Sequence, residues 1–183
     1  RLFESGYFQR VNELRFKRLL RKMENHVILC GYGRVGQEIS NQIKTQNIPI
    51  IVVESDEDRK KIAEENGLEV LCADATLDET LKLAGLEKCK SLVVTLPNDA
   101  ANLYVVLSAK GIRSSIRVIA RAGTEEAASK LRLAGASIVV SPYIAAGRAM
   151  ASMALRPIAI NFLDLLAGSE CEIEEFELSN DIS

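Results

Sequence analysis

His26-Val27-Ile28-Leu29-Cys30-Gly31-Tyr32-Gly33-Arg34-Val35-Gly36 is the stretch that decides the fold. A short apolar run passes directly into GxGxxG, and apolar residues then recur at helical spacing over 35–43. The glycine string alone is a weak signal; placed between a strand and a helix it has a specific physical meaning. Gly31 allows a tight turn, and Gly33 lets the backbone approach a pyrophosphate that any Cβ there would meet. Gly36 lets the following helix pack closely on the sheet. Free amides and the positive end of that helix then face the anion.

Working outward, the same alternation of strand and helix continues to residue 140. Apolar runs at Ile48–Val53, Leu68–Cys72, Ser91–Leu96, Ile116–Ala120 and Ser137–Val140 read as strands. Between them, Asp56–Asn66, Leu77–Ala84, Ala100–Lys110 and Glu125–Ala134 read as helices, with Asp56 placed to cap the first. Gly67, Gly85, Gly111 and Gly135 stand where helices should stop. Strands apolar on both faces imply helices on both sides. Right-handed crossovers then predict an α/β fold, a doubly wound, Rossmann-like parallel sheet of six strands in the order 3-2-1-4-5-6.

In such a sheet, ligands bind beyond the carboxyl ends of the strands where the order reverses. Glu54, with Ser55 after it, ends the second strand eighteen residues beyond Gly36. A carboxylate there accepts from ribose hydroxyls and repels a 2′-phosphate, which favours NAD or an adenine nucleotide over NADP. The other reading of Glu54 is a helix N-terminal acid beside Asp56. Asp74, Ala75 and Thr76 follow the third strand and are expected near the adenine. Thr95, Leu96 and Asn98 end the fourth and face the same crevice. Two roles fit Arg34, a phosphate contact or a salt bridge. The candidate binding set is therefore Gly31, Tyr32, Gly33, Arg34, Val35 and Gly36 with these strand-end residues.

Composition narrows the function. The chain has 183 residues, with 23 Lys+Arg against 25 Asp+Glu and 48% apolar residues. That balance fits a globular domain, excludes disorder and argues against a nucleic-acid partner. No apolar run approaches the ~20 residues that span a bilayer. Cys30, Cys72, Cys89 and Cys171 form no CxxC, and the chain has one histidine, so no metal site is expected. The thiols read as reduced and interior. His26, heading the first strand, reads as structural. Without a second histidine or a substrate domain, hydride-transfer machinery is missing, and nucleotide is expected to be read as a signal and not consumed.

Charge is segregated to the ends. Residues 1–24 carry seven basic and three acidic residues, and 170–183 carry six acidic and no basic ones. Phe8, Val11, Leu14, Phe16, Leu19, Leu20 and Met23 alternate with arginines, which describes a basic amphipathic helix. Arg1 is not an initiator, so the sequence reads as a fragment. After the sheet, Ile144–Leu155 and Ile158–Leu166, separated by Pro157, read as small-residue-rich helices that bury an apolar face on a partner subunit or on their own sheet. Glu172–Leu178 alternates like an edge strand. The organisation expected is a linker over 1–24, a nucleotide lobe over 25–141, crossing helices over 142–168 and an acidic connection over 169–183.

Several motifs together resemble one family. Gly31–Gly36, then Cys72-Ala73-Asp74-Ala75-Thr76 leading to Leu83-Ala84-Gly85-Leu86, resembles the N-terminal lobe of RCK domains, regulators of potassium conductance, also called TrkA-N domains. Asn102–Ala109, Leu131–Ala136 and Ser141-Pro142-Tyr143 with Gly147-Arg148 match its later signatures in order. The resemblance implies a nucleotide- or ion-binding lobe on the cytoplasmic face of a potassium channel or transporter. It also implies a homodimer within a larger ring and a membrane-embedded pore as partner. It assigns 142–168 to helices swapped between partners. Calcium-gated members carry acids near the ends of the fourth and fifth strands. Here those places hold Thr95, and Arg121 with Gly123, a departure from that pattern. The function expected is a cytoplasmic sensor of NAD(H), ATP, ADP or AMP that gates potassium flux. The alternatives are a regulatory subunit of a Trk/Ktr transporter and a small NAD-dependent oxidoreductase.

Overall fold

The computed structural model describes residues 23–155. The expectations for the basic helix before residue 23, the helix after Pro157, the acidic strand and Cys171 all fall outside that range. The chain divides at Pro142 into two compact units.

The first unit is a parallel sheet of β1 (Val27–Cys30), β2 (Ile50–Glu54), β3 (Glu69–Cys72), β4 (Ser91–Val94), β5 (Arg117–Arg121) and β6 (Ile138–Val140). The order is β3-β2-β1-β4-β5-β6, as the alternation predicts. Register is fixed by pairs such as Cys30 with Val53 and with Val94. The helices are α1 (Arg34–Thr45), α2 (Glu57–Glu65), α3 (Asp78–Leu83), α4 (Asp99–Ile112) and α5 (Glu125–Leu133). The second unit begins within α6 (Pro142–Leu155).

Alternate strand residues feed two cores, as the two-residue period of a strand requires. Ile28, Cys30, Ile51, Val53, Leu92, Val94 and Val118 pack with Leu81 of α3, Val105 and Val106 of α4 and Leu131 of α5. On the other face, Val27, Leu29, Ile50, Val52 and Val93 pack with Ala63 of α2, against Ile39 and Ile43 of α1. Burial on both faces holds for β1, β2 and β4, whereas β5 buries only the face of Val118 and Ala120. It fails at the edges, where β3 is only half-buried and β6 leaves Ile138 and Val140 exposed, because an edge strand lacks a neighbour on one side.

Two other expectations change. Gly111 does not stop α4; the helix runs to Ile112, and the Arg113 N–H closes it on the Ala109 carbonyl. The Arg113 guanidinium also donates to the carbonyls of Leu86 and Cys89, which fixes where the chain leaves the helix. Cys72 is exposed, unlike buried Cys30 and Cys89. It closes an edge strand, and its thiol donates to Glu57 Oε1 at 3.2 Å. Desolvation of the sulfur and that carboxylate push the thiol up to about 11, so little of it is thiolate at neutral pH. α6 has no buried residue, and Tyr143, Met150, Met153 and Leu155 are exposed along it.

His26 is fully buried, and its Nε2 bonds the Ala84 carbonyl at 2.9 Å, tying the end of α3 to the start of β1. Its backbone carbonyl accepts from the Lys90 N–H at 2.7 Å, just before β4. The histidine is thus a strut at the edge of the sheet opposite the glycine turn. Burial lowers its pKa below the ordinary 6.5. The unfolded chain therefore takes up a proton near pH 6.5 that the folded one resists, and stability falls as pH drops through that value. Urea unfolding between pH 7 and 5 should show this decline, at no more than about 1.4 kcal/mol per pH unit from this one group. The decline should be shallower in His26→Gln; equal slopes would remove the assignment.

Candidate functional site

The candidate residues sit at the carboxyl edge of the sheet. Gly31–Gly36 connect β1 to α1, Glu54 and Ser55 close β2, Asp74–Thr76 connect β3 to α3, and Thr95–Asn98 connect β4 to α4. Parallel strands carry all four connections to one edge. Strand order puts β1 between β2 and β4, so the glycine turn lies between the ends of both.

The three glycines have separable tasks. Gly31 has φ +95°, and a Cβ there would lie 3.1 Å from the Thr95 carbonyl oxygen. Both facts demand glycine. A Cβ on Gly36 would lie 2.3 Å from the Gly31 oxygen, closer than any carbon can approach. The constraint on Gly36 is therefore contact between α1 and the turn that starts it, a refinement of the sheet-packing role expected from sequence. Gly33 differs: nothing lies within 4 Å of its Cβ position. The space in front of it is open, and that is where a phosphate would need to come.

The helix beyond Gly33 begins without a side-chain cap. Asp56, Asn98 and Thr124 each cap their own helices, α2, α4 and α5. Short α3, led by Leu77, is uncapped like α1. The first bond of the α1 ladder runs from the Gln37 N–H to the Gly33 carbonyl at 2.9 Å, so the N–H groups before it lie ahead of the ladder, and the cap residue Gly33 has no side chain to serve them. An anion placed there meets several donors and the positive helix end.

Glu54 is buried, with only 6% of its surface exposed. Its Oε2 accepts from the Tyr32 N–H at 2.7 Å, and its Oε1 accepts from the Asp56 N–H at 3.0 Å. Arg59 lies 3.9 Å away on the exposed side. Two main-chain donors hold the carboxylate beside the glycine turn, and a carboxylate still has acceptor capacity for hydroxyls after two bonds. This geometry joins the two readings of Glu54, since the same group serves the start of α2 and faces the turn. The Tyr32 side chain turns away, fully buried, and its hydroxyl accepts from Asn66 at 3.3 Å.

Thr95 is also buried, and its hydroxyl lies 3.0 Å from the Gly31 oxygen and 3.1 Å from the Cys30 oxygen. Leu96 flanks Gly31, with Cδ2 3.3 Å from the Cβ position there. The Asn98 side chain is engaged with the N–H groups of Ala100 and Ala101. Asp74 accepts from both the N–H and hydroxyl of Thr76, a self-contained turn, and buried Ala75 lies between them. Ser55 and Arg34 are exposed at the rim, and Val35 is half-buried.

One residue escaped the sequence reading as a site element. Asn102 is fully buried in α4. Its amide accepts from the Leu96 N–H at 2.9 Å and donates to the carbonyls of Leu96 and Arg121 at 3.0 and 3.1 Å. Arg121 Nη1 donates to the same Leu96 carbonyl at 2.9 Å, and Asp99 accepts from the Gly123 N–H at 2.8 Å. These bonds lock the ends of β4 and β5 together. A lone amide three and four residues before Val105 and Val106, on the apolar side of the helix, is the signal that would have found it. Among the described residues, no three His, Cys, Asp or Glu side chains gather in a metal-binding group.

The glycine geometry separates two alanine substitutions. Gly36→Ala forces α1 away from the Gly31 carbonyl and should cost about 1–3 kcal/mol of stability. Gly33→Ala has space and an ordinary φ of −76°, so its effect should stay within about 0.5 kcal/mol. Paired chemical denaturation curves check the ordering, which would be reversed or absent if the turn were assembled otherwise.

Comparison with known proteins agrees with this geometry. The family model described as the TrkA-N domain matches residues 27–142. "Potassium channel protein 1" of Methanocaldococcus jannaschii is 37% identical over 175 residues, covering 94% of this chain and 53% of that protein. The chain thus spans about half the length of that relative. The crystal structure of the TrkA-N domain of inner membrane protein ybaL from Escherichia coli is 31% identical with a TM-score of 0.68, covering 72% of this chain and 98% of that one. The structure of GsuK bound to ADP is 27% identical with a TM-score of 0.63, covering 78% and 37%. Sheet order, glycine turn and sequence match converge: the chain belongs to the TrkA-N domain family.

Proposed function

We propose that this domain is a nucleotide-sensing regulator of potassium movement, acting as the cytoplasmic RCK lobe attached to a potassium channel pore. The observation that carries the reading is the open space at Gly33, at the uncapped start of α1, with Glu54 held beside it. Phosphate would occupy the glycine hollow, and the ribose hydroxyls would donate to Glu54. The ligand class is NAD(H) or an adenine nucleotide. Support comes from the M. jannaschii relative, named as a potassium channel protein, and from GsuK, solved with ADP.

Reading the nucleotide without consuming it fits the side chains present. His26, the chain's one histidine, lies at the opposite end of β1 from the glycine turn, and its Nε2 is engaged by Ala84. It has no access to a ligand at Gly33, so it supplies no general acid or base there. Nucleotide binding would instead shift the balance between two arrangements of paired lobes, to the extent that it prefers one of them. Residues 1–24 would carry that shift to the pore.

A transporter host is the second reading, favoured by the likeness to YbaL of Escherichia coli, which is named "Putative cation/proton antiporter YbaL". Two membrane helices with a Thr-Val-Gly-Tyr-Gly-like filter encoded upstream would select the channel. Among the described residues, no helix is long and apolar enough to cross a membrane.

Calorimetry on the whole chain tests the site. AMP, ADP or NAD should bind, NADP should bind more weakly, and Gly33→Asp should abolish binding while the circular dichroism stays unchanged. Binding that survives Gly33→Asp would dismiss the hollow as the phosphate site. Self-association is a separate expectation. The exposed apolar residues of α6 fit a second copy of this chain as their cover, and light scattering should give at least a dimer. A monomer at high concentration would refute that part.

A further inference from the structure

One peptide in the glycine turn is held from both edges. The Gly31 carbonyl accepts from the Thr95 hydroxyl at 3.0 Å, and the N–H on the other side of the same peptide, that of Tyr32, donates to Glu54 at 2.7 Å. Thr95 follows β4 and Glu54 ends β2, so the bond spans the three central strands. A trans peptide is planar, with its C=O and N–H pointing apart, so two such contacts fix its tilt.

The hydroxyl also lies 3.1 Å from the Cys30 carbonyl, which accepts the Thr95 N–H at 2.8 Å, so its one hydrogen has two acceptors in reach. Of the two, the Gly31 oxygen is the nearer and belongs to the turn peptide. It is the same oxygen against which Gly36 packs, with 2.3 Å to the Cβ position. Next along the chain, the Tyr32 carbonyl accepts from the Gln37 side chain at 3.3 Å. Successive peptides of the turn are thus held by side chains before any ligand arrives, and Thr95 is the one contributed from just beyond β4.

We propose that Thr95 is a positioning residue for the phosphate hollow, acting through the Gly31 carbonyl and not by touching the ligand. The inference rests on the nucleotide-binding reading of the site. It assigns Thr95 a different task from the direct contact that its place in the sequence suggested. Without the hydroxyl, the peptide is held from one edge only, and the cost of ordering the turn moves to the binding step. Glu54 and the amides of α1 remain available, so binding weakens without vanishing.

Thr95→Val keeps the side-chain shape and removes the donor. Titration of the whole chain with AMP and ADP should show affinity falling roughly tenfold, the effect of one hydrogen bond. Thr95→Ser should restore it. Amide hydrogen exchange in the ligand-free protein gives the second readout. Exchange at Tyr32 should quicken in Thr95→Val and return to the wild-type rate in Thr95→Ser. If Thr95→Val does not fold, Thr95→Ala carries the same two measurements. Unchanged AMP affinity overturns the proposal. So does lost affinity with unchanged Tyr32 exchange, which would mean direct contact with the ligand. Wild-type protein that takes up no nucleotide would overturn the function reading itself, whereas wild-type binding with an indifferent Thr95→Val overturns this inference alone.

Discussion

The structure turns on how closely α1 approaches the turn that launches it. The Gly31 carbonyl and the Gly36 backbone sit so near that no side-chain carbon fits between them. That contact fixes the direction in which α1 leaves β1. It brings the helix start, which has no side-chain cap, over the edge where strand order reverses. Every other element of the site is arranged about this contact. Glu54 reaches it from β2, Thr95 reaches it from beyond β4, and Leu96 closes its flank.

The polar groups near the crevice are mostly engaged with the protein's own backbone. Asn102 satisfies three main-chain groups at the ends of β4 and β5, and Asp99 holds Gly123. Such bonds add only about 1 kcal/mol each to stability, but leaving one of those buried groups unpaired costs more. Their effect is geometric: strand ends that would otherwise fray are held at one height. A ligand meeting this edge finds donors already oriented, which reduces the ordering that binding must supply. The open position at Gly33 stands out against this background of occupied groups.

Much of this was readable in advance, for identifiable reasons. Asp56 announced the start of α2 because an Asx side chain before a helix has one favourable use, and it does accept from Asp58 and Arg59. Strand order followed from alternation and handedness alone. The exposure of β3 and β6 followed from that order and not from their own residues, since Val70, Leu71, Ile138, Val139 and Val140 are as apolar as the residues of inner strands. The continuation of α4 through Gly111 was hidden, since the residue that caps it, Arg113, is anchored by the carbonyls of Leu86 and Cys89, 27 and 24 residues away.

The sequence by itself determined the doubly wound sheet, the place of the glycine turn and the identity of the carboxylate beside it. These depend on local periods and on residue types with few alternative uses. Tertiary structure alone decided what the side chains at that edge do. Thr95 and Asn102 carry polar groups that could face a ligand or the backbone, and nothing local to either residue distinguishes the two. The partners that settle it, Gly31 for one and Arg121 for the other, lie 64 and 19 residues away and meet them only when neighbouring strands are laid side by side.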